Sequence, residues 1–186
     1  MARVPVIDPK TATGEAAELL NAVQAQLGIT PNFIRVLANS PKALSGFLGL
    51  YGAAAGFAVD KATQERIALA VAESNGCQYC VSAHTAIGRH AGLSNDEMAL
   101  NRQGSSSDKK AAGAVAFAKA LNEHLGEVTG AEFDAARAAG LSDGELVEII
   151  AVVALNIFTN VLGKATRVEI DFPKVELMAG RREALA

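Results

Sequence analysis

The sequence predicts an all-α fold, a single helical bundle occupying residues 1–186. Three observations carry this. Half of the residues are hydrophobic, but only 5% are aromatic and none is Trp. The apolar mass is therefore mostly Ala, Leu and Val, the composition of closely packed helices. Helix-start signals recur along the chain, each an Asp, Ser or Thr ahead of an apolar-periodic run. The runs of β-branched and aromatic residues that build strands are scarce.

Taken in order, Thr13 to Leu27 reads as an amphipathic helix stopped by Gly28. Pro31 restarts the chain, and Asn32 to Ala38 reads as a short helix. Ser40 as N-cap, with Pro41 at the first helical position, opens a third helix expected to run to about Phe57. Asp60 caps a helix over Lys61 to Ser74, with Asn75-Gly76 as its stop. A new helix then opens at Cys77 and continues to about His90, ended by Gly92. Ser94 and Glu97 make a capping-box pattern ahead of a short helix. Gly104 to Ser107 is expected to be a flexible break, and Asp108 to His124 the next helix. The capping-box pattern returns at Thr129 with Glu132 and at Ser142 with Glu145. The second of these starts an apolar helix over Glu145 to about Leu162. No element is assigned from Val168 onward, past Pro173. A faint internal echo pairs Ala70-Val71 and Asn75 with Ala151-Val152 and Asn156. A helical duplication would leave that mark, its second copy carrying Phe158 and Val161 where the first has cysteines.

The formal net charge is −3 and the pI about 5.6. No basic cluster is large enough to bind nucleic acid, and Arg181-Arg182 reads as solvated. The opening residues, MARVPVIDPK, lack the apolar stretch of a signal peptide. The longest uncharged run, Ala43 to Val59, is at the short limit for a membrane span, and its glycines suit a buried helix better. The expected setting is cytoplasmic, with no nucleic-acid or membrane partner.

The residues that carry chemistry lie between Glu65 and His84. Cys77 and Cys80 form a C-x-x-C and are the only cysteines. On a helix, positions i, i+3 and i+7 share a face, so both thiols and the His84 imidazole can meet. In a reducing compartment such a pair is catalytic or metal-binding more often than it is a structural staple. Placed at a helix N-terminus, just after the Asn75-Gly76 stop, a thiol has its pKa lowered by unpaired N–H groups and the helix dipole. The pair can close a disulfide, and His84 can take and pass on a thiol proton. Two carboxylates on the preceding helix, Glu65 and Glu73, fall near one face. Either can orient His84 once the turn folds the second helix back on the first, and geometry alone leaves the choice open. Tyr79, between the cysteines, can bond within such a relay or simply pack. His90 and His124 have no comparable partner and read as ordinary polar residues.

The arrangement Glu65, Cys77, Tyr79, Cys80, His84 resembles the carboxymuconolactone decarboxylase superfamily, most closely its alkylhydroperoxidase D-like branch. The run ERIALAVAESNGCQYCVSAHT is similar to that family's signature helix pair. The segments GITPNFIRVLANSPKAL and ALNIFTNVLGKATRVEIDFPKV resemble its peroxidase-related members. The resemblance implies a thiol peroxidase with the all-α alkylhydroperoxidase D-like fold. Cys80 would be the peroxidatic thiol, Cys77 the resolving one, and His84 with Glu65 the proton relay; Glu73 is the second choice of acid. Tyr79 stands where the alkylhydroperoxidase itself has a histidine. The resemblance further implies no metal or other cofactor, a hydroperoxide substrate, a dithiol protein as reductant, and a homotrimer or homohexamer. Three other readings compete. One is a general dithiol–disulfide oxidoreductase. Another is a metal-binding module using Cys77, Cys80, His84 and one glutamate. The third is a ligand-binding helical module.

Overall fold

The structure, a computed structural model, describes residues 2–178. Among the described residues there are nine α-helices and no strand. They are α1 (Gly14–Leu27), α2 (Asn32–Leu37), α3 (Pro41–Ala54), α4 (Lys61–Ser74), α5 (Gln78–His90), α6 (Asn95–Arg102), α7 (Lys109–Glu123), α8 (Gly130–Ala138) and α9 (Asp143–Thr166). Their starts follow from short polar side chains. Ser40, Asp60, Ser94, Asp108, Thr129 and Ser142 each accept a hydrogen bond from the backbone N–H three residues on. Each cap is worth about 1 kcal/mol.

The bundle is built around α4. Ile67, Ala68, Leu69, Ala70, Val71 and Ala72 are all buried, and α4 packs against α5, α6, α7 and α9. Six successive apolar residues face every side of a helix, so this stretch of α4 has to be interior, and it is. One core joins α4 to α7, α8 and α9 through Ile67, Val115, Phe117, Ala136, Leu146 and Ile149. A second, of Leu20, Ile34, Leu37, Leu44 and Phe47, seats α1–α3 against Leu155 and Leu162 of α9. The glycine at 113 lets α7 and α8 approach so closely that a Cβ there would collide with the Ala139 methyl.

Several sequence expectations are corrected. Helix α3 stops at Ala54 rather than near Phe57, because the chain turns so that Phe57 can pack on the α4/α7/α9 core. Helix α9 runs through to Thr166 rather than ending near Leu162. Gly163 is a close-approach residue and not a stop. The echo between residues 70–75 and 151–156 does not extend to a repeated helix pair. Where α4 breaks at Asn75-Gly76, α9 continues unbroken, with Asn156 bonded to the Val152 carbonyl. Both late capping boxes form in full, but at Ser94 only half of one does. The Glu97 carboxylate turns away to Arg66, Asn101, Ser106 and Ser107. The same bonds pin Gly104–Ser107, the expected flexible break, as an ordered loop. Arg181-Arg182 lies outside the described residues.

Beyond α9, residues 168–178 run back without helix or strand. Val168 is buried in the cluster that holds Cys77, Tyr79, Cys80, Val81 and Ala83, and Ile170, Phe172, Val175 and Leu177 pack against it. Along α9, Val147, Ile150, Ala154, Phe158 and Val161 form an exposed apolar stripe at i, i+3, i+4 spacing. By length and composition alone, α9 is long and apolar enough to cross a membrane. Its other side is core, through Leu146, Ile149, Val152 and Val153.

Candidate active site

The α4–α5 turn brings the site together. Gly76 adopts φ 64°, a left-handed conformation that glycine takes without strain. The Cys77 N–H then donates to the Ala72 carbonyl at 2.9 Å. Cys77 becomes the N-cap of α5, its Sγ accepting from the Cys80 N–H at 3.3 Å. Cys77 and Cys80 are joined as a disulfide, with Cα atoms 5.3 Å apart. They are 1% and 3% exposed. On α9, a Cβ at Gly163 would lie 3.4 Å from the Cys77 sulfur and 3.9 Å from that of Cys80. Sequence reading passed over Gly163, since a glycine in an apolar helix announces a close neighbour without naming it.

One turn past Cys80, His84 meets the family-matched acid. Its Nδ1 lies 2.7 Å from Glu65 Oε2. The Glu65 side chain is buried, while that of His84 is one-fifth exposed. With Nδ1 donating to the carboxylate, Nε2 is the ring nitrogen left to take a proton. The other Glu65 oxygen, Oε1, is 3.2 Å from the Lys61 ammonium, one turn earlier on α4. Lys61 also sits over the Tyr51 ring, 5.3 Å from its centroid. Burial pushes the Glu65 pKa up, but the charges and hydrogen bonds of His84 and Lys61 outweigh it, and the carboxyl titrates below its ordinary value. Lys61 was missed at the sequence level. The available signal was its i, i+4 spacing from Glu65.

The other two predicted residues point elsewhere. Glu73 is buried, but its carboxylate accepts from Arg102 of α6 at 2.7 Å and from the Met178 N–H at 2.8 Å. It faces the opposite end of α4 from the His84 pair. Tyr79 makes no hydrogen bond to His84 or to the cysteines. Its hydroxyl donates to Asp171 Oδ1 at 2.8 Å and accepts from the Phe33 N–H at 3.3 Å. Its ring meets Phe33 and Phe172 edge to face. A phenol buried this deeply needs a strong acceptor, and the carboxylate supplies one.

Cys80, His84, Glu65 and Lys61 line one cavity of about 560 Å³, whose walls include Phe33, Phe47, Tyr51, Phe57, Ile87 and Leu155. Cys77 is not among its lining residues. A space of this size, apolar with a few convergent polar groups, suits a small organic molecule. Among the described residues, His, Cys, Asp and Glu form no group of three or more placed to hold a metal ion.

Comparison with known proteins agrees with this geometry. Residues 41–123, which span α3 to α7 and contain all of the candidate residues, match the carboxymuconolactone decarboxylase family. No curated protein matches the chain in sequence. An uncharacterized peroxidase-related protein with an alkylhydroperoxidase AhpD core, from Ralstonia eutropha JMP134, is 25% identical with a TM-score of 0.78, over 91% of this chain and 92% of its own. A peroxidase-related protein from Silicibacter sp. TM1040 is 23% identical with a TM-score of 0.78, over 89% and 88% of the two chains. The debrominase Bmp8, in complex with 2,3,4-tribromopyrrole, is 20% identical with a TM-score of 0.76, over 92% of each chain. Residues 41–123 carry the carboxymuconolactone decarboxylase family match, and the fold is that of the alkylhydroperoxidase D-like proteins.

Proposed function

We propose that the protein is a thiol peroxidase that reduces organic hydroperoxides through a Cys77/Cys80 dithiol–disulfide cycle. The observation that carries this reading is a joined cysteine pair whose Cys80 opens, beside a His84–Glu65 pair at 2.7 Å, on an apolar cavity. In the reduced enzyme, His84 Nε2 takes the Cys80 proton. The thiolate attacks the terminal peroxide oxygen and the O–O bond breaks. The alkoxide leaves as alcohol, protonated by His84, and Cys80 becomes a sulfenic acid. The Cys77 thiol attacks that sulfur, expels water and forms the disulfide. A dithiol protein returns two electrons and two protons by exchange.

The cavity bears on the substrate. Its walls are mostly apolar and aromatic, and its one lysine, Lys61, is already paired with Glu65. A bulky, uncharged hydroperoxide suits it better than a carboxylate-bearing one. A second reading draws on the aromatic lining and on the likeness to a debrominase. In it, the same dithiol passes two electrons to a halogenated aromatic ring and releases halide. The assembly is proposed to be a homotrimer or homohexamer in the cytoplasm, with the exposed stripe of α9 covered by a second copy.

The test is to mix the pre-reduced protein with cumene hydroperoxide, or with a brominated pyrrole, and to follow thiol loss, alcohol and bromide. One disulfide and one alcohol per hydroperoxide are expected. Thiol loss with bromide release only would give the second reading precedence. Inertness to both, with rapid exchange against protein disulfides, would make the pair a general dithiol oxidoreductase.

A further inference from the structure

The disulfide needs a way in for its reductant, and the structure restricts that way. Cys80 borders the cavity, whereas Cys77 is 1% exposed and off it. Residues 168–178 cover the cluster that holds both sulfurs. This segment has no helix or strand to hold it. Apart from its apolar side chains, it is held by side-chain hydrogen bonds, among them Asn32 to the Glu169 carbonyl, Gln78 to the Glu176 carboxylate and Arg102 to the Glu176 carbonyl. Asp171 Oδ2 accepts from the Asn32 N–H at 2.7 Å, the Val175 N–H donates to Ser82 Oγ at 3.0 Å, and Gln78 Nε2 donates to the Val175 carbonyl at 3.3 Å. The Met178 N–H reaches Glu73. One further bond comes from inside the C-x-x-C itself, from the Tyr79 hydroxyl to Asp171 Oδ1 at 2.8 Å. Cys77, 1% exposed beneath this segment and α9, is closed to a protein thiolate while the segment lies in place.

We propose that Tyr79 is the latch of this segment: its bond to Asp171 ties residues 168–178 across the disulfide, and releasing it admits a dithiol protein to Cys77. This rests on reading the cysteines as a redox pair. Peroxide then reaches Cys80 through the cavity, and the reductant reaches Cys77 from beneath the lifted segment. In the exchange, the partner's thiolate attacks Cys77 Sγ, the Cys77–Cys80 bond breaks, and Cys80 leaves as a thiolate beside His84. The partner's second thiol attacks the mixed disulfide, and Cys77 leaves as a thiolate that takes up a proton. The partner ends as a disulfide. Burial first, and then the Asp171 carboxylate, raise the Tyr79 pKa above its ordinary value, so the hydroxyl remains a donor at any working pH. A segment held by side-chain bonds rather than by a helix or a sheet ladder opens at lower free energy than the bundle does.

The experiment compares reduction of the oxidised protein by thioredoxin and by dithiothreitol, in the wild type and in Tyr79→Phe, by thiol quantification under mass spectrometry. Losing a hydrogen bond to a charged group is worth roughly a tenfold change in opening or more. Tyr79→Phe should therefore speed reduction by thioredoxin about tenfold. Dithiothreitol is small enough to use the cavity, so its rate should change much less. Asp171→Asn carries the same comparison should Tyr79→Phe not fold. A rise in the ratio of the two rates supports the latch. Equal changes for both reductants, no change, or no reduction of either variant by thioredoxin overturns it. No hydroperoxide enters this assay, so failure of the peroxidase reading would show separately, as a reduced wild type inert to hydroperoxide.

Discussion

At the residue scale, the proposed chemistry turns on a buried carboxylate, Glu65, with a donor on each oxygen. Glu65 is held below its ordinary pKa by His84 and Lys61 against the effect of burial, so it is ionised at neutral pH and loses its charge only as the pH falls through that depressed value. Lys61→Met removes one of the two opposing influences and leaves burial in place. The acid limb of Cys80 alkylation in the reduced protein should then move to higher pH, with roughly tenfold slower alkylation on that limb, as expected for loss of a charge within contact distance. Lys61→Arg should hold the wild-type profile. Glu65→Gln should slow the reaction with hydroperoxide by roughly 10²-fold or more. Glu73→Gln should leave that rate near wild type, because its partners are Arg102 and the Met178 N–H. It should instead cost roughly 1–3 kcal/mol of stability by weakening a charged hydrogen bond to the partly buried Arg102, read from denaturant midpoints. For the thiols, Cys80→Ser should abolish reaction with hydroperoxide, whereas Cys77→Ser should react once and stop at a trappable sulfenic acid. The reverse pattern would exchange the two roles.

At the element scale, two contacts hold the helices around the site. Gly163 is where α9 faces the disulfide. A methyl there would sit at ordinary contact distance from the Cys77 sulfur, and alanine improves helix propensity, so Gly163→Ala should be close to neutral. Gly163→Val adds branches with no room and should cost about 1–3 kcal/mol. The second contact is Glu97 on α6, which gathers Arg66 of α4 and the loop serines 106 and 107. Burial opposes ionisation, but the hydrogen bonds from Ser106, Ser107 and Asn101 prevail, and its pKa lies well below the carboxylate range. A depressed folded-state value means that this stability is complete above the unfolded-state pKa of about 4.3 and is lost as the pH falls through the folded-state one. Urea unfolding should therefore find Glu97→Gln about 1–3 kcal/mol less stable than wild type at neutral pH, with the gap closing in strong acid.

At the scale of the whole molecule, α9 has one face in the core and an apolar stripe outside it. The proposed assembly covers that stripe with a second copy. Light scattering should then show a trimer or hexamer for the wild type. Phe158→Glu with Val161→Glu should give a monomer of unchanged helical circular dichroism, since both side chains are exposed within one chain. A wild-type monomer at micromolar concentration would remove this reading.

Much of this was legible in order along the chain. The helix starts at Ser40, Asp60, Asp108, Thr129 and Ser142 are local events, each settled by one side chain and the N–H three residues on, so the sequence alone determined them. It also placed Cys80 and His84 one turn apart on α5, because helical periodicity needs no tertiary partner; Cys77, expected on the same face, is instead the N-cap, with extended backbone. The choice between Glu65 and Glu73 depended on the fold. The two acids stand near one face of α4, and only the packing of α5 and α6 gives one of them to His84 and the other to Arg102. Tyr79 went the same way. Within the motif it lies between two cysteines, but its hydroxyl belongs to Asp171, a residue far along the chain. The half-formed box at Ser94 and the run of α9 through Gly163 were likewise decided by non-local partners. Caps and periodicity are written in neighbouring residues, whereas the partner of a buried polar group is decided by whatever the fold carries to it.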